Sequence, residues 1–438
     1  MRKLFNACLA FIVVSTGGVV RAEFTPIAGW DNQLFPSYII GSATLKGDQT
    51  TSDPTEQLGD PNGLLGVEIV APADNTRVEI TVQCDEYLEP STITETLESE
   101  GESYTIFPKV KYRFDRLSQC QQVTPATVTF KVKIEDDEIQ EKTTTVTFRP
   151  IHDCPIKVEV GEKILDTSVT VATFVNEQHP YVDKLLREAL NIGVVDKFIG
   201  YQGTDDDVIR QVYSVWDLLV ARDVRYSSIT TTAADSDEIL SQHIRMLEDT
   251  INNQQANCVD GSVLMVSMLR KIGIDSFLVL VPGHCYVGFY VDEKRERALG
   301  LETTLVGEET ELPDDFETDL ENAVDESLQG DLSWPSFVQA IIVGTKNLGG
   351  NAEKFKSGQE QDYKLIDINR ARRMGVLPIP FKSKELFVNI DHSEYVRDNG
   401  TEEDLESQAE ESDEGWENEQ DDESEGDAEE EDEEGEEE

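Results

Sequence analysis

The chain has 438 residues, with 89 acidic against 37 basic side chains and a formal charge of −52 at pH 7. That balance disfavours binding to phosphate backbones, so nucleic acid is not an expected partner. Length permits two ordinary domains beside the unstructured-looking ends.

Met1-Arg2-Lys3, the apolar run from Ala7 to Val20 and Val20-Arg21-Ala22 have the layout of a cleavable secretory signal. Residues 1–22 are therefore read as a signal peptide, and the protein as secreted or periplasmic. Beyond them no window offers about 20 uncharged apolar residues, so no stable membrane span is expected after signal removal. Residues 23–62 read as an N-terminal linker.

A β-rich stretch follows. Leu65–Val70, Arg77–Gln83, Ser103–Phe107, Val110–Phe114, Thr127–Ile134 and Thr143–Phe148 are predicted strands. Val128-Thr129-Phe130-Lys131-Val132-Lys133-Ile134 shows the alternation of a half-exposed strand. An all-β, antiparallel immunoglobulin-like sandwich over residues 63–165 is the simplest closure, acting as scaffold or binding module. Its cysteines Cys84, Cys120 and Cys154 suit a disulfide in an oxidising compartment, with the pairing open.

From residue 170 to 392 the texture is mixed. Tyr181–Leu190 and Asp207–Arg222 carry apolar residues at helical spacing, and a third helix is predicted over Leu240–Ile251. Asn257-Cys258-Val259-Asp260-Gly261 then precedes the apolar helix Val263–Lys271, which Gly273 is placed to stop. Phe277–Val281 and Cys285–Val291 read as strands joined at Pro282-Gly283-His284. A charged turn over Asp292–Arg297 leads to a third strand, Leu299–Leu305, with Glu302 inside it.

Three of these residues fit one chemistry. A thiol at a helix N-terminus beside an imidazole is the usual route to an activated sulfur nucleophile. His284 can take the proton of Cys258 and return it to a leaving group, and Glu302 can orient the imidazole. Gln255 or Asn257, with the Cys258 amide, are candidate oxyanion donors. Asp292 competes with Glu302 for the carboxylate role, but sits where the hairpin should reverse. Asp260 is more naturally a helix cap. Trp216, Tyr226 and Tyr286 are candidates for a cleft wall, although aromatics at such spacing are core more often than not. The alternation of strand faces argues against a bridge between Cys258 and Cys285.

The blocks Asn257-Cys258-Val259-Asp260-Gly261, Pro282-Gly283-His284 and Glu302-Thr303-Thr304 resemble those of the transglutaminase-like superfamily, with its papain-like Cys-His-acid core. In that superfamily the cysteine opens a helix, the histidine opens a strand and the acid sits on the next strand. The resemblance spans residues 175–310. Tyr363–Ile368, Ala371-Arg372-Arg373 and Pro378-Ile379-Pro380 also look like the closing segment of bacterial exported members. The chain departs from the family by placing Glu302 where Asp is more usual.

The resemblance implies a cysteine-peptidase-like α+β domain after the sandwich. It implies an amide hydrolase or acyltransferase acting on peptide or protein, including substrates associated with the cell envelope, through a thioester on Cys258. Two alternatives are a non-catalytic transglutaminase-like binding module and a structural envelope protein. No cofactor is expected, and no metal-ligand motif is present in the sequence. The end of the chain, residues 396–438, reads as a disordered acidic tail. Residues 401–438 hold 24 Asp or Glu and no Lys or Arg, and taking those charges from −52 leaves −28. Such a tail keeps the chain soluble and offers weak divalent-cation binding.

Overall fold

A computed structural model describes residues 23–45, 57–161, 163–228, 236–312, 319–381, 386–393 and 395–397. The expected signal peptide and the acidic segment 401–438 lie outside the described residues.

The protein is a mixed α+β molecule. Its first part contains β1 (Phe24–Ala28), β2 (Gln33–Leu34), α1 (Pro36–Ser42), β3 (Gln57–Gly59), β4 (Leu65–Val70), β5 (Thr76–Cys84), β6 (Leu88–Leu97), β7 (Ser103–Phe107), β8 (Lys111–Tyr112), α2 (Phe114–Leu117), β9 (Thr124–Ile134) and β10 (Gln140–Phe148). One sheet runs β1-β4-β7-β3 and the other β2-β10-β9-β5-β6-β8. Alternation decides which face is inside: Val78, Ile80 and Val82 of β5 and Val128, Phe130 and Val132 of β9 are buried, as are Leu65, Val67 and Ile69 of β4. All of them join one apolar core.

Three expectations need correction here. The stretch read as a linker holds β1, which pairs with β4 from Phe24↔Ile69 to Ala28↔Leu65, and the fully buried α1. The sheets are not purely antiparallel, since β3–β7 and β2–β10 are parallel. Cys84, Cys120 and Cys154 are all unbridged: the Cys120 thiol contacts the carbonyls of Gln122 and Arg149, and the Cys154 thiol contacts Thr170 Oγ1.

The second part contains β11 (Asp153–Val160), β12 (Lys163–Asp166), α3 (Pro180–Ile192), α4 (Asp205–Ala221), β13 (Arg225–Tyr226), β14 (Ile239–His243), α5 (Leu247–Asn253), β15 (Gln255–Ala256), α6 (Cys258–Lys271), β16 (Ser276–Val281), β17 (His284–Tyr290), β18 (Ala298–Leu301), α7 (Ser333–Gly350), α8 (Ala352–Ser357), β19 (Lys364–Asp367) and α9 (Ile368–Met374). The predicted helix over Leu240–Ile251 is instead β14 followed by α5. β14 pairs with β11 from Asp153↔His243 to Val158↔Ile239, so strand pairing overrides the local helical spacing. β12, β11 and β14 form a three-stranded sheet across the expected domain boundary near residue 165.

The centre is α6, whose residues from Val259 to Leu269 are all buried. Against it lies the sheet β18-β17-β16-β19. Leu278, Leu280, Val287 and Phe289 belong to the core shared with α6, while Phe277, Val279 and Tyr286 form a second cluster on the opposite face. α7 crosses β18 at the closest possible range. A methyl group on Gly300 or on Gly344 would run into the backbone of the other, so only glycine permits this crossing.

Candidate active site

Cys258 is the first residue of α6, and the sequence around it builds the helix start. The Asn257 carboxamide accepts from the amides of Val259 (2.8 Å) and Asp260 (2.9 Å), and the Asp260 carboxylate returns to the Asn257 amide (2.9 Å). Arg245 seals this box from β14's side, with its guanidinium 2.6 Å and its amide 2.8 Å from the Asp260 carboxylate. Asp260 is therefore a cap and an ion-pair partner. The Asn257 carboxamide oxygen is used in capping, and its Nδ2 donates to the His243 carbonyl (3.4 Å). The amide of Cys258 is outside the capping set. Gln255 lies exposed on β15, with Tyr226 of β13 beside Ala256 in parallel register.

His284 opens β17 opposite Val281. Its Nε2 lies 2.6 Å from Glu302 Oε2, which leaves Nδ1 as the nitrogen for Cys258. The hydrogen bond to Cys258 and then that to Glu302 raise the imidazole from its ordinary value to about 10, against the opposing effect of burial. The ring is thus held in its charged form.

Glu302 is not inside a strand. β18 ends at Leu301, and Glu302 begins a 3-10 turn over Thr303–Leu305. It is 5% exposed. Its second oxygen accepts from the hydroxyl (2.8 Å) and amide (3.2 Å) of Thr304, and its own amide donates to Ala340 of α7 (3.0 Å). Both carboxylate oxygens are therefore committed, one to the imidazole and one to the turn. Asp292 takes no part: it accepts from the amides of Glu296 and Arg297 and closes the hairpin turn.

The structure brings Cys258, His284 and Glu302 together from α6, β17 and the end of β18. Of the aromatics, Trp216 is core, donating to Ser336 Oγ at 3.1 Å. Tyr286 is buried with its ring 6.0 Å from that of His284. Tyr226 remains exposed, and burial followed by the Cys258 and Glu302 charges raises its phenol. Cys285 is buried and hydrogen-bonded to Ser262 on α6; burial first, then the Cys258 charge, holds its thiol well above the ordinary value. It is not bridged to Cys258.

The sequence did not mark Thr304 as the group that holds Glu302, although its place directly after Thr303 offered a turn signal. Nor did it mark the wall facing the site. A cavity of about 360 Å³ opens beside Cys258 and His284, between β16–β17 and the sheet β12-β11-β14. Among the described residues there is no cluster suited to a metal ion, and no helix long and apolar enough to cross a membrane.

No family model matches the sequence, and no curated protein matches it. Among solved structures, the chain is similar to a protein of Cytophaga hutchinsonii provisionally described as a cysteine protease, at 13% identity over 55% of this chain and 75% of that one. The TM-score is 0.20, and the likeness carries no weight in assigning chemistry to this chain.

Proposed function

We propose that this protein is an exported, transglutaminase-like cysteine hydrolase or acyltransferase that acts on amide bonds of peptide or protein. One observation carries the reading: His284, which lines the same cavity as Cys258, is hydrogen-bonded at 2.6 Å to a buried, doubly anchored carboxylate. A structural cysteine at a helix start needs no such partner.

In this reading the Cys258 sulfur attacks the amide carbonyl, and the Cys258 amide, free of the capping set, faces the developing oxyanion. His284 delivers its proton to the leaving amine as the C–N bond breaks, leaving a thioester on Cys258. Water or an amine then attacks the thioester, His284 takes the proton of the incoming group, and the thiol is restored. Glu302 keeps the ring oriented and stabilises its charged form through both half-reactions.

The test is trapping the thioester. Rapid acid quench during turnover of N-acetyl-leucine p-nitrophenyl ester should give an acyl adduct on Cys258, located by peptide mass spectrometry and discharged by hydroxylamine. Added ethanolamine should divert the acyl group into its amide if the site transfers as well as hydrolyses. Turnover with no adduct on Cys258, or an adduct that forms equally fast in His284→Ala, removes the reading.

A further inference from the structure

The cavity beside Cys258 has one wall that the catalytic elements do not supply. In the sheet β12-β11-β14, Leu240, Lys157 and Asp166 stand opposite one another across the three strands, and Glu159 pairs with Ile164. Side chains two apart on a strand share a face, so Ile164 lies on the same face as Asp166, and Lys157 on the same face as Glu159. Leu240, Lys157, Ile164 and Asp166 all line the cavity. The opposing wall is Leu280, Val281, Pro282 and Gly283, with Cys258 and His284 in the same lining.

Two features make this wall more than a surface. Leu240 is 54% and Ile164 47% exposed, so these apolar groups are left open by the fold in the cavity that Cys258 also lines. Asp166 also reaches Lys364 on β19 at 2.6 Å, tying the wall to the catalytic sheet at the strand position opposite Leu280. Burial opposes the charge of Asp166, but the hydrogen bonds from Lys364 and Ser168 outweigh it and hold the carboxyl below its ordinary value. The two basic groups in the lining are both engaged, Lys364 by Asp166 and Lys157 by Glu159 at 3.5 Å. Gln242, Gln361 and Asp362 also line the cavity, but the seat between Leu240, Ile164, Leu280 and Val281 is apolar, and the cavity volume of about 360 Å³ is in the range of about 300–1,000 Å³ usual for small-ligand clefts.

We propose that the sheet β12-β11-β14 is the specificity wall of the site, and that it selects amides flanked by an apolar side chain of leucine or phenylalanine size, seated between Leu240, Ile164, Leu280 and Val281. The inference rests on Cys258 being the nucleophile. It disfavours glutamine as the preferred side chain, because a carboxamide seated between these four groups meets no hydrogen-bond partner among them.

Peptidyl chloromethyl ketones test it. The Cys258 sulfur displaces chloride and forms a C–S bond to the methylene carbon, so the labelling rate reads how well the flanking side chain fits. Leucine and phenylalanine probes are expected to label Cys258 about tenfold or more faster than glutamine or aspartate probes of the same length. Leu240→Glu and Ile164→Glu, both at open positions that the fold does not pack, should lower the rate for the apolar probes by about tenfold and leave labelling by iodoacetamide, which has no side chain to seat, unchanged. Unequal labelling that favours glutamine, equal labelling by all probes, or apolar-probe rates untouched by both substitutions overturns the wall assignment while the nucleophile stands. A Cys258 inert to iodoacetamide in the unmodified protein overturns both.

Discussion

Glu302 sits just after β18, at the start of the 3-10 turn over Thr303–Leu305, and not within the strand. From there the carboxylate reaches His284 at 2.6 Å while Thr304 holds its other oxygen at 2.8 Å. Shortening the arm breaks one contact or the other. Glu302→Gln keeps the length and removes the charge, so the imidazolium loses stabilisation of the order of 1.5–3 kcal/mol, the value of a hydrogen bond to a charged group. The pH at which the imidazole gives up its proton should then move down from about 10 by about one unit or more, read by NMR titration of the ring, since one unit corresponds to about 1.4 kcal/mol. An unmoved titration would show that Glu302 does not act on the ring. The sign for stability follows from the raised value of His284: the charged pair adds stability below the ordinary imidazole value of 6.5, and that stability is lost as pH rises toward about 10. His284→Ala should therefore cost stability at pH 6 and progressively less toward pH 10, measured by denaturant unfolding at each pH.

Two elements position the triad, and each offers its own test. The start of α6 depends on Asn257 and Asp260. Asn257→Ala should cost about 1 kcal/mol, the usual value of a lost N-cap, whereas Asp260→Ala also strands the largely covered Arg245 side chain and should cost about 3 kcal/mol or more. Equal costs in urea unfolding would contradict the sealed box. α7 holds β18 through the glycine contact, so Gly344→Ala must push the two backbones apart, and with them the turn that carries Glu302. Loss of Cys258 reactivity with little loss of helical circular dichroism is the expected result. Much of this was legible in the sequence. The capping pattern and apolar run located α6, the period-two alternation located β4, β5, β7, β9 and β10, and Pro282-Gly283 located the turn before His284. β14 was not legible, because Leu240–Ile251 has apolar residues at spacings that suit a helix and its strand state comes from pairing with β11. β6 was missed for a similar reason: Leu88–Leu97 contains Pro90 and a polar outer face, and its strand is set by nine-residue β5 alongside it.

At the scale of the whole molecule, chain segments far apart in sequence close over the site-bearing part. Residues 386–393 and 395–397 return to α3 and α4, where the fully buried Arg222 meets Glu188 at 2.6 Å and the Val388 carbonyl at 2.8 Å, and Arg397 meets Asp217 at 3.2 Å. Phe387 lies under the Arg222 guanidinium at 4.8 Å. Arg222→Ala leaves Glu188 largely buried with only His392 beside it, and should cost about 3–5 kcal/mol in equilibrium unfolding. A cost under about 1 kcal/mol would show that the strap contributes little. The Asp166–Lys364 pair joins the sheet β12-β11-β14 to the sheet β18-β17-β16-β19 in a half-exposed setting, where such pairs are worth about 0–1 kcal/mol, so its role is geometric more than energetic. Its contribution is present above the ordinary aspartate value and is lost as pH falls through the lowered value of Asp166. The sequence could not disclose this junction, since β11, β12 and β14 become one wall only through pairings between residues 153–166 and 239–243.

The central claim is that His284 makes Cys258 a nucleophile, and iodoacetamide alkylation of Cys258 across pH, located by peptide mass spectrometry in the unmodified protein and in His284→Ala, tests it most directly. The account predicts rapid labelling of Cys258 well below pH 8 in the unmodified protein, with a substantial slowing in His284→Ala and negligible labelling of the buried Cys285 in either. Cys258 labelling at the rate of an ordinary thiol, identical in the two proteins, would contradict it.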